Sequence, residues 1–317
     1  MKIAGIELKG DALLAPIAGF TDVGFRDIAA RYGASLTYTE MISCKGMVYG
    51  SEKTKELLAT TDNERVKAVQ IFGADPQIMA KACSMQEMQK FDIIDINMGC
   101  PVPKIVNNGE GSALLNNPKL AAEIVKSVVK YTGKVVTVKF RKGFKRGENV
   151  AVDFSRYIQD AGASAITVHG RTREDYYMGN ADWDTIAKVV ESVQIPVIAN
   201  GDVTDVTSYL RIKDHTKASG VMIARGALGN PQIFKEIADN CLKIDTIFKK
   251  VDKKRDILLQ IDTLKNYYSD RYIYSNMKKQ ICYYLKGMSN SKQLKDKVCH
   301  VESVSALVDI VNSIDFE

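Results

Sequence analysis

Phe91-Asp92-Ile93-Ile94-Asp95-Ile96-Asn97-Met98-Gly99-Cys100-Pro101 is an apolar run that stops in a small polar loop holding one thiol. The run has strand character, and the Gly-Cys-Pro turn ends it abruptly. A cysteine on a loop just past a strand end is placed for reactivity, although a free cysteine is also commonly a small buried hydrophobe. The pattern of apolar run and polar stop recurs. It predicts strands at Ala12–Pro16, Leu36–Glu40, Ala68–Phe72, Ile93–Ile96, Val135–Phe140, Ala165–His169, Val197–Asn200 and Val221–Ala224. Helical patterns lie between them at Gly24–Tyr32, Pro76–Gln89, Leu120–Lys130, Val152–Ala161, Trp183–Val193 and Thr204–Lys213. Strands alternating with helices imply βαβ units on a parallel sheet. Eight units imply an α/β fold closed as a (β/α)8 TIM barrel. A doubly wound open sheet is the alternative, but no GxGxxG opens a helix after the first strand.

Beyond Gly229-Asn230-Pro231 no further strand is convincing. The pattern turns helical, as at Asp256–Tyr268 and Asn276–Gly287, and is rich in Lys, Tyr and Asp. This places a barrel over residues 1–241 and a small all-helical C-terminal domain over residues 242–317. The formal charge of +6 is unevenly spread: Lys243 to Lys297 holds fourteen Lys/Arg against six Asp and no Glu, a net +8. Such asymmetry points to a polyanionic partner for the C-terminal part, against the plainer reading of a solvated lysine-rich surface. The six cysteines are scattered without a CxxC pair, so no zinc or iron–sulfur spacing is present and no metal is expected. No signal peptide opens the chain, and no apolar run approaches the roughly 20 residues of a membrane span. A reduced, cytoplasmic protein away from membranes is the expectation.

In a barrel, the C-terminal ends of the strands face one shared site. Here those ends carry Pro16, Ala18 and Gly19; Glu40 and Met41; Gln70; Asn97 and Cys100; Lys139 and Arg141; His169 and Arg171; Asn200, Gly201 and Asp202; Arg225 and Gly226. Any one has an ordinary structural explanation, such as a capped strand end for Gln70 or a satisfied core histidine for His169. Their joint placement at one end of one barrel is what suggests a site. Glycines after the last two strands let backbone N–H groups approach an anion, and barrels often bind phosphate there. Arg225 adds a charge-assisted contact. Lys139 beneath the ligand suits negative charge on a reduced flavin ring. A neutral thiol near its reference pKa of about 8.5 is mostly protonated at neutral pH and can donate a proton, which saturation of a C=C bond requires alongside a hydride.

The chain resembles the tRNA-dihydrouridine synthases, most closely the bacterial B-type branch. The resemblance runs through Ala15-Pro16-Ile17-Ala18-Gly19-Phe20-Thr21-Asp22, Val69-Gln70-Ile71-Phe72-Gly73, Asp95-Ile96-Asn97-Met98-Gly99-Cys100-Pro101 and Val138-Lys139-Phe140-Arg141. It continues in Val168-His169-Gly170-Arg171-Thr172-Arg173, Ala199-Asn200-Gly201-Asp202-Val203 and Met222-Ile223-Ala224-Arg225-Gly226-Ala227-Leu228-Gly229-Asn230-Pro231. The resemblance implies an FMN-binding barrel followed by a helical tRNA-binding domain. It implies FMN contacts at Pro16, Ile17, Ala18, Gln70, Lys139, His169, Asn200, Gly201, Asp202, Ala224 and Arg225. Cys100 matches the family's proton donor, and Asn97 and Arg141 match positions that approach the target uracil or its backbone. NADPH would reduce FMN, and tRNA would be the partner. Pro103 stands in the cysteine loop where relatives often carry a basic residue, and Ala224 where glycine is common.

Within the C-terminal domain, Lys278 and Lys279 beside Tyr283 and Tyr284 are the preferred tRNA contacts, since tyrosines stack on bases while lysines hold phosphates. Core burial of both tyrosines is the competing reading. Two other functions compete: a small-molecule FMN barrel of the dihydroorotate dehydrogenase kind, which has no use for the basic C-terminal domain, and a tRNA-binding protein with a structural flavin, which has no use for Cys100.

Overall fold

A computed structural model describes residues 1–242 and 253–316. Its centre is eight parallel strands: β1 (Ala12–Leu14), β2 (Thr37–Tyr38), β3 (Lys67–Phe72), β4 (Ile93–Met98), β5 (Val135–Gly143), β6 (Ala165–Thr172), β7 (Val197–Asn200) and β8 (Gly220–Ile223). They pair in the order β1-β8-β7-β6-β5-β4-β3-β2. Across the remaining seam, the Leu14 N–H donates to Leu36 O and the Ser35 N–H to Ala12 O, each at 2.9 Å, so the sheet curls into a barrel. Around it run α1 (Val23–Arg31), α2 (Pro76–Cys83), α3 (Pro118–Thr132), α4 (Ala151–Asp160), α5 (Trp183–Ser192), α6 (Val206–Thr216) and α7 (Ile233–Cys241). Local sequence starts these helices. Asp75 caps α2 ahead of Pro76, Asn117 caps α3 ahead of Pro118, and Asp205 with Ser208 forms a reciprocal cap on α6.

Strand alternation sends one parity of residues inward. On β3 to β6 these are Ala68 and Gln70; Ile93, Asp95 and Asn97; Val135, Thr137 and Lys139; Ala165, Thr167 and His169. The lower members pack with Leu13, Leu36, Tyr38, Ile198 and Met222 into the barrel's inner core. An N-terminal hairpin, Lys2–Ile3 with Ile6–Glu7, closes that end, and Ile3 and Leu8 join the core. The upper members are polar and line an open cavity. A larger apolar shell fills the space between strands and helices. The interior thus changes from dry to charged over two residues of each strand.

The second strand is shorter than expected. Glu40 leaves it to accept the Gly19 N–H at 2.5 Å, so the strand proper is Thr37–Tyr38, and beyond the break Ile42–Ser43 pair again with Ile71 and Phe72 of β3. The expected helix Pro76–Gln89 stops at Cys83, where Ser84 Oγ turns back on Ala80 O, and a short 3-10 turn, Gln86–Met88, follows. Pro103 opens a single helical turn, Pro103–Val106, just past the thiol.

Among the described residues, four helices follow the barrel: α8 (Lys253–Lys265), α9 (Asp270–Tyr284), α10 (Ser291–Cys299) and α11 (Val304–Ser313). Residues 243–252, which carry part of the basic segment, lie outside the described residues. The helices share their own core, including Ile257, Ile261, Met277, Ile281, Tyr284 and Leu307, and they reach the barrel through Val23. Polar contacts fix the docking. Asp22 caps α1 through Phe25 N–H at 2.9 Å and also accepts Gln280 Nε2 at 2.6 Å. Gln260 donates to Gln280 Oε1 at 2.7 Å, and Tyr32 Oη donates to Asp256 at 2.7 Å.

Gly229 sits where α9 crosses the barrel rim. Its φ is +68°, and a Cβ there would lie 2.6 Å from both Tyr283 O and Tyr284 N. Gly229→Ala is therefore expected to destabilise by about 1–3 kcal/mol through backbone strain alone, with the collision adding to it. Denaturant titration reads this as a lower midpoint, and an unchanged midpoint would mean that α9 is not seated on this turn.

Candidate active site

The strand ends converge on one cavity of about 810 Å³. That lies within the usual range of roughly 300–1,000 Å³ for small-molecule sites. Pro16, Ile17 and Ala18 come from the loop after β1, Gln70 from β3, and Asn97 with Cys100 from the end of β4. Lys139 and Arg141 come from β5, His169 from β6, Asn200 to Asp202 from β7, and Ala224 with Arg225 from beyond β8. Most residues predicted at the strand ends thus line one cavity; Gly19, Glu40 and Arg171 do not, since Glu40 accepts the Gly19 N–H and Arg171 turns to Asp202 and Gly179 O.

The thiol loop is tied from both sides. Asn97 Oδ1 accepts the N–H groups of Gly99 and Cys100, at 3.0 and 2.8 Å. Ser112 donates to Cys100 O through its hydroxyl at 2.8 Å. Arg141 Nε donates to Gly99 O at 2.9 Å, while its Nη1 donates to Thr172 O and Tyr176 O. Arg141 therefore clamps the thiol loop to the loop after β6 as well as lining the cavity. Cys100 itself is 8% exposed. Burial pushes its thiol above the ordinary range, against the opposing pull of the Val102 N–H and of Arg141 and Lys139. It is held as a thiol, the form that can give a proton.

The cavity is strongly electropositive. Lys139 lines the cavity and is partly exposed, and burial together with Arg141 lowers its pKa to about 8. Burial likewise lowers Arg141 to about 10. Burial and then the charges of Arg141, Lys139, Arg171 and Arg225 keep His169 well below its ordinary value, so its imidazole is neutral. Asp202 is the local counter-charge. It accepts Arg171 Nη2 at 2.7 Å and the Ala181 N–H at 2.6 Å, and lies 3.7 Å from Arg225. Among the described residues Arg171 Nη1 is buried without a partner. It stands 3.7 Å from where a Cβ on Gly201 would be. That Cβ would also come within 2.5 Å of Ala181 Cβ, and Gly201 has φ +138°, so only glycine lets the backbone lie this close to the site. A bare backbone approach and several like charges fit an anionic, phosphorylated ligand.

Lys278 and Lys279 lie on α9 outside the cavity lining. Lys279 Nζ sits 5.6 Å from the centre of the Phe20 ring, and Lys278 Nζ 5.3 Å from that of Tyr274. The two tyrosines divide: Tyr284 is fully buried in the helical core, whereas Tyr283 is 37% exposed and lines the cavity. Sequence reasoning missed Lys286, Tyr176 and Tyr177, which also line it. Arg225 lies 4.7 Å over the Tyr177 ring and Arg141 5.8 Å from it. Adjacent aromatics inside the polar run Arg171 to Asn180 were the available signal.

The model of the family described as Dihydrouridine synthase (Dus) matches residues 13–315. The chain belongs to the dihydrouridine synthase family. It is 38% identical over 291 residues to tRNA-dihydrouridine synthase B of Pasteurella multocida, covering 91% of this chain and 87% of that one. It is 33% identical to tRNA-dihydrouridine synthase B of Vibrio cholerae, covering 98% and 97%. Among solved structures, the old yellow enzyme homologue of Zymomonas mobilis superposes with a TM-score of 0.57 at 13% identity, covering 80% of this chain and 94% of that one. At that identity the likeness concerns the barrel alone. For a dihydrouridine synthase the cavity at the strand ends is therefore the active site to consider. Among its described residues, no helix is long and apolar enough to cross a membrane.

Proposed function

We propose that this chain reduces uridines of tRNA to 5,6-dihydrouridine, with FMN held in the strand-end cavity, NADPH as reductant and Cys100 as proton donor. The observation that carries the reading is a nearly buried thiol, its pKa raised by burial, lining a cationic cavity in a chain of this family. When bound, FMN supplies the hydride to C6 of the uracil ring. Cys100 gives its proton to C5 and is left as thiolate, which solvent then reprotonates. Lys139 and Arg225, with the backbone at Gly201, are the groups that would hold the anionic parts of the cofactor. Gln70 and Asn97 line the cavity with amides already bonded to each other, and Asn97 and Arg141 are the residues read as meeting the uracil. The barrel of residues 1–241 is read as the catalytic domain and residues 242–317 as the tRNA-binding domain, in a cytoplasmic enzyme. Purified protein is expected to be yellow, to bleach with NADPH and to recolour with unmodified tRNA. Recolouring by a small pyrimidine acid but not by tRNA would overturn the reading.

Lys279, Tyr283 and Lys286 lie at i, i+4 and i+7 on α9 and its C-terminal end, so they form one stripe leading to the cavity mouth. Phe20 packs edge-on against Tyr283, ring centres 5.3 Å apart. The barrel-rim cations are more occupied: Lys142 pairs with Asp182 at 2.9 Å and Arg146 with Asp175 at 3.2 Å. Charge reversal of Lys278 and Lys279 is expected to weaken tRNA binding and to flatten its salt dependence by about 0.7–0.9 in log–log slope per lost phosphate contact. Lys279→Glu should account for more of this than Lys278→Glu, since Lys279 shares the stripe. Filter binding across a salt series measures it, with FMN content unchanged. An unaltered slope would move the clamp to the rim around Lys142, Lys145 and Arg146.

A further inference from the structure

A row of polar groups runs beneath the thiol loop. Gln70, Asp95 and Thr137 face one another across β3, β4 and β5 in register. Asp95 is fully buried. Its Oδ1 accepts the Thr137 hydroxyl at 2.6 Å, and its Oδ2 accepts Gln70 Nε2 at 2.7 Å. Gln70 Oε1 then accepts Asn97 Nδ2 at 2.8 Å, and Asn97 Oδ1 accepts the N–H groups of Gly99 and Cys100.

Each amide in this chain could be turned end for end with little change of shape. An ionised carboxylate cannot, because it only accepts. Facing Asp95, Gln70 must present its NH2, which leaves its oxygen for Asn97. Asn97 must then present its NH2 downward, which leaves its own oxygen for the loop. Were Gln70 reversed, two acceptors would meet at Asp95 and two NH2 groups at Asn97, and a buried unsatisfied group costs about 1–3 kcal/mol. The polarity of the whole chain is therefore set at its base.

We infer that Asp95 is a positioning residue, which through the ordered amides of Gln70 and Asn97 holds the Cys100 loop in its working posture. The inference rests on the reading of Cys100 as proton donor. Burial raises the Asp95 carboxyl to about 6, still below neutrality, and Lys139 is the cation that opposes this rise. Asparagine at this position can keep the order. Its oxygen would accept Gln70 Nε2, and its NH2 would donate to Thr137, whose hydroxyl can accept as readily as donate. Leucine is of similar size and can do neither; serine, whose side chain is one atom shorter, withdraws its oxygen from Gln70 without crowding the barrel.

The test uses the flavin-loaded enzyme with Asp95→Leu, Asp95→Ser and Asp95→Asn. Amide hydrogen exchange of Gly99 and Cys100 is followed by NMR, alongside steady-state dihydrouridine formation at saturating FMN. Leucine and serine should each speed exchange of these two amides by about tenfold, the equivalent of one lost hydrogen bond. They should lower kcat by about 10–100-fold while leaving KM for tRNA within about twofold. Asparagine should behave as wild type in both. If leucine prevents folding, the serine variant carries the comparison. Unchanged exchange in the serine variant overturns the inference. Equal damage from asparagine and serine also overturns it, by showing that charge rather than hydrogen-bond order is what matters. The exchange measurement is independent of the proton-donor reading, which fails separately if Cys100→Ala makes dihydrouridine normally.

Discussion

Cys100→Ala is expected to lower dihydrouridine formation by about 10²–10⁴-fold, the usual loss for a general acid. The variant should keep its flavin and its NADPH oxidation. The reason is local: most of the bonds that shape the loop run through the Gly99 and Cys100 N–H groups and Cys100 O, and the sulfur adds one from the Val102 N–H. Alanine thus removes the proton and leaves most of the loop's bonds. The pH profile supplies a second readout. The donor works when protonated, and burial raises its pKa, so the wild-type rate should fall only above the ordinary thiol range of about 8.5. Near-normal product formation by the variant, read by mass spectrometry of digested tRNA, would take Cys100 out of the mechanism.

Lys139→Met should slow reduction of the flavin by NADPH by about 10²-fold, as expected when one preorganised charge facing developing negative charge is removed, and should loosen FMN retention. Lys139 is charged below its lowered pKa of about 8 and loses that charge as pH rises through it. The wild-type reduction rate should therefore decline from about pH 8 upward. An anionic ligand in the cavity favours the charged lysine and moves this decline to higher pH. The methionine variant should lack the limb altogether. Stopped-flow reduction together with flavin content measures both effects; unchanged values would make Lys139 a bystander.

Most of the barrel was legible because its strands are apolar runs ended by glycine, proline or a polar residue, and that signal is local. Strand β2 was overestimated because Glu40 leaves the sheet for a partner twenty-one positions away, the Gly19 N–H, which no periodicity reports. Much of the cavity lining was legible for the same reason as the strands, since polar residues ending barrel strands gather at one end of the barrel; Glu40 and Arg171, spent on Gly19 and Asp202, show that a strand-end position alone does not put a side chain in the cavity. Tyr283 and Tyr284 were not separable, because neighbours on a helix point about 100° apart and either could have been the inward one. Asp95 looked like an ordinary member of a motif. Its role depends on sitting opposite both Gln70 and Thr137, and register exists only once the strands are assembled.

The segment from Pro16 to Asp22 serves two masters. Its first residues wall the cavity, Phe20 packs against Tyr283, and Asp22 accepts Gln280 from the helical domain. A chimera that exchanges residues 242–317 between relatives while keeping the host barrel would therefore mismatch this joint. Transplanting residues 16–22 and Gly229 with the helices would move a whole interlocking piece. The modular boundary for protein engineering does not follow the order of the chain: it cuts through the first barrel loop.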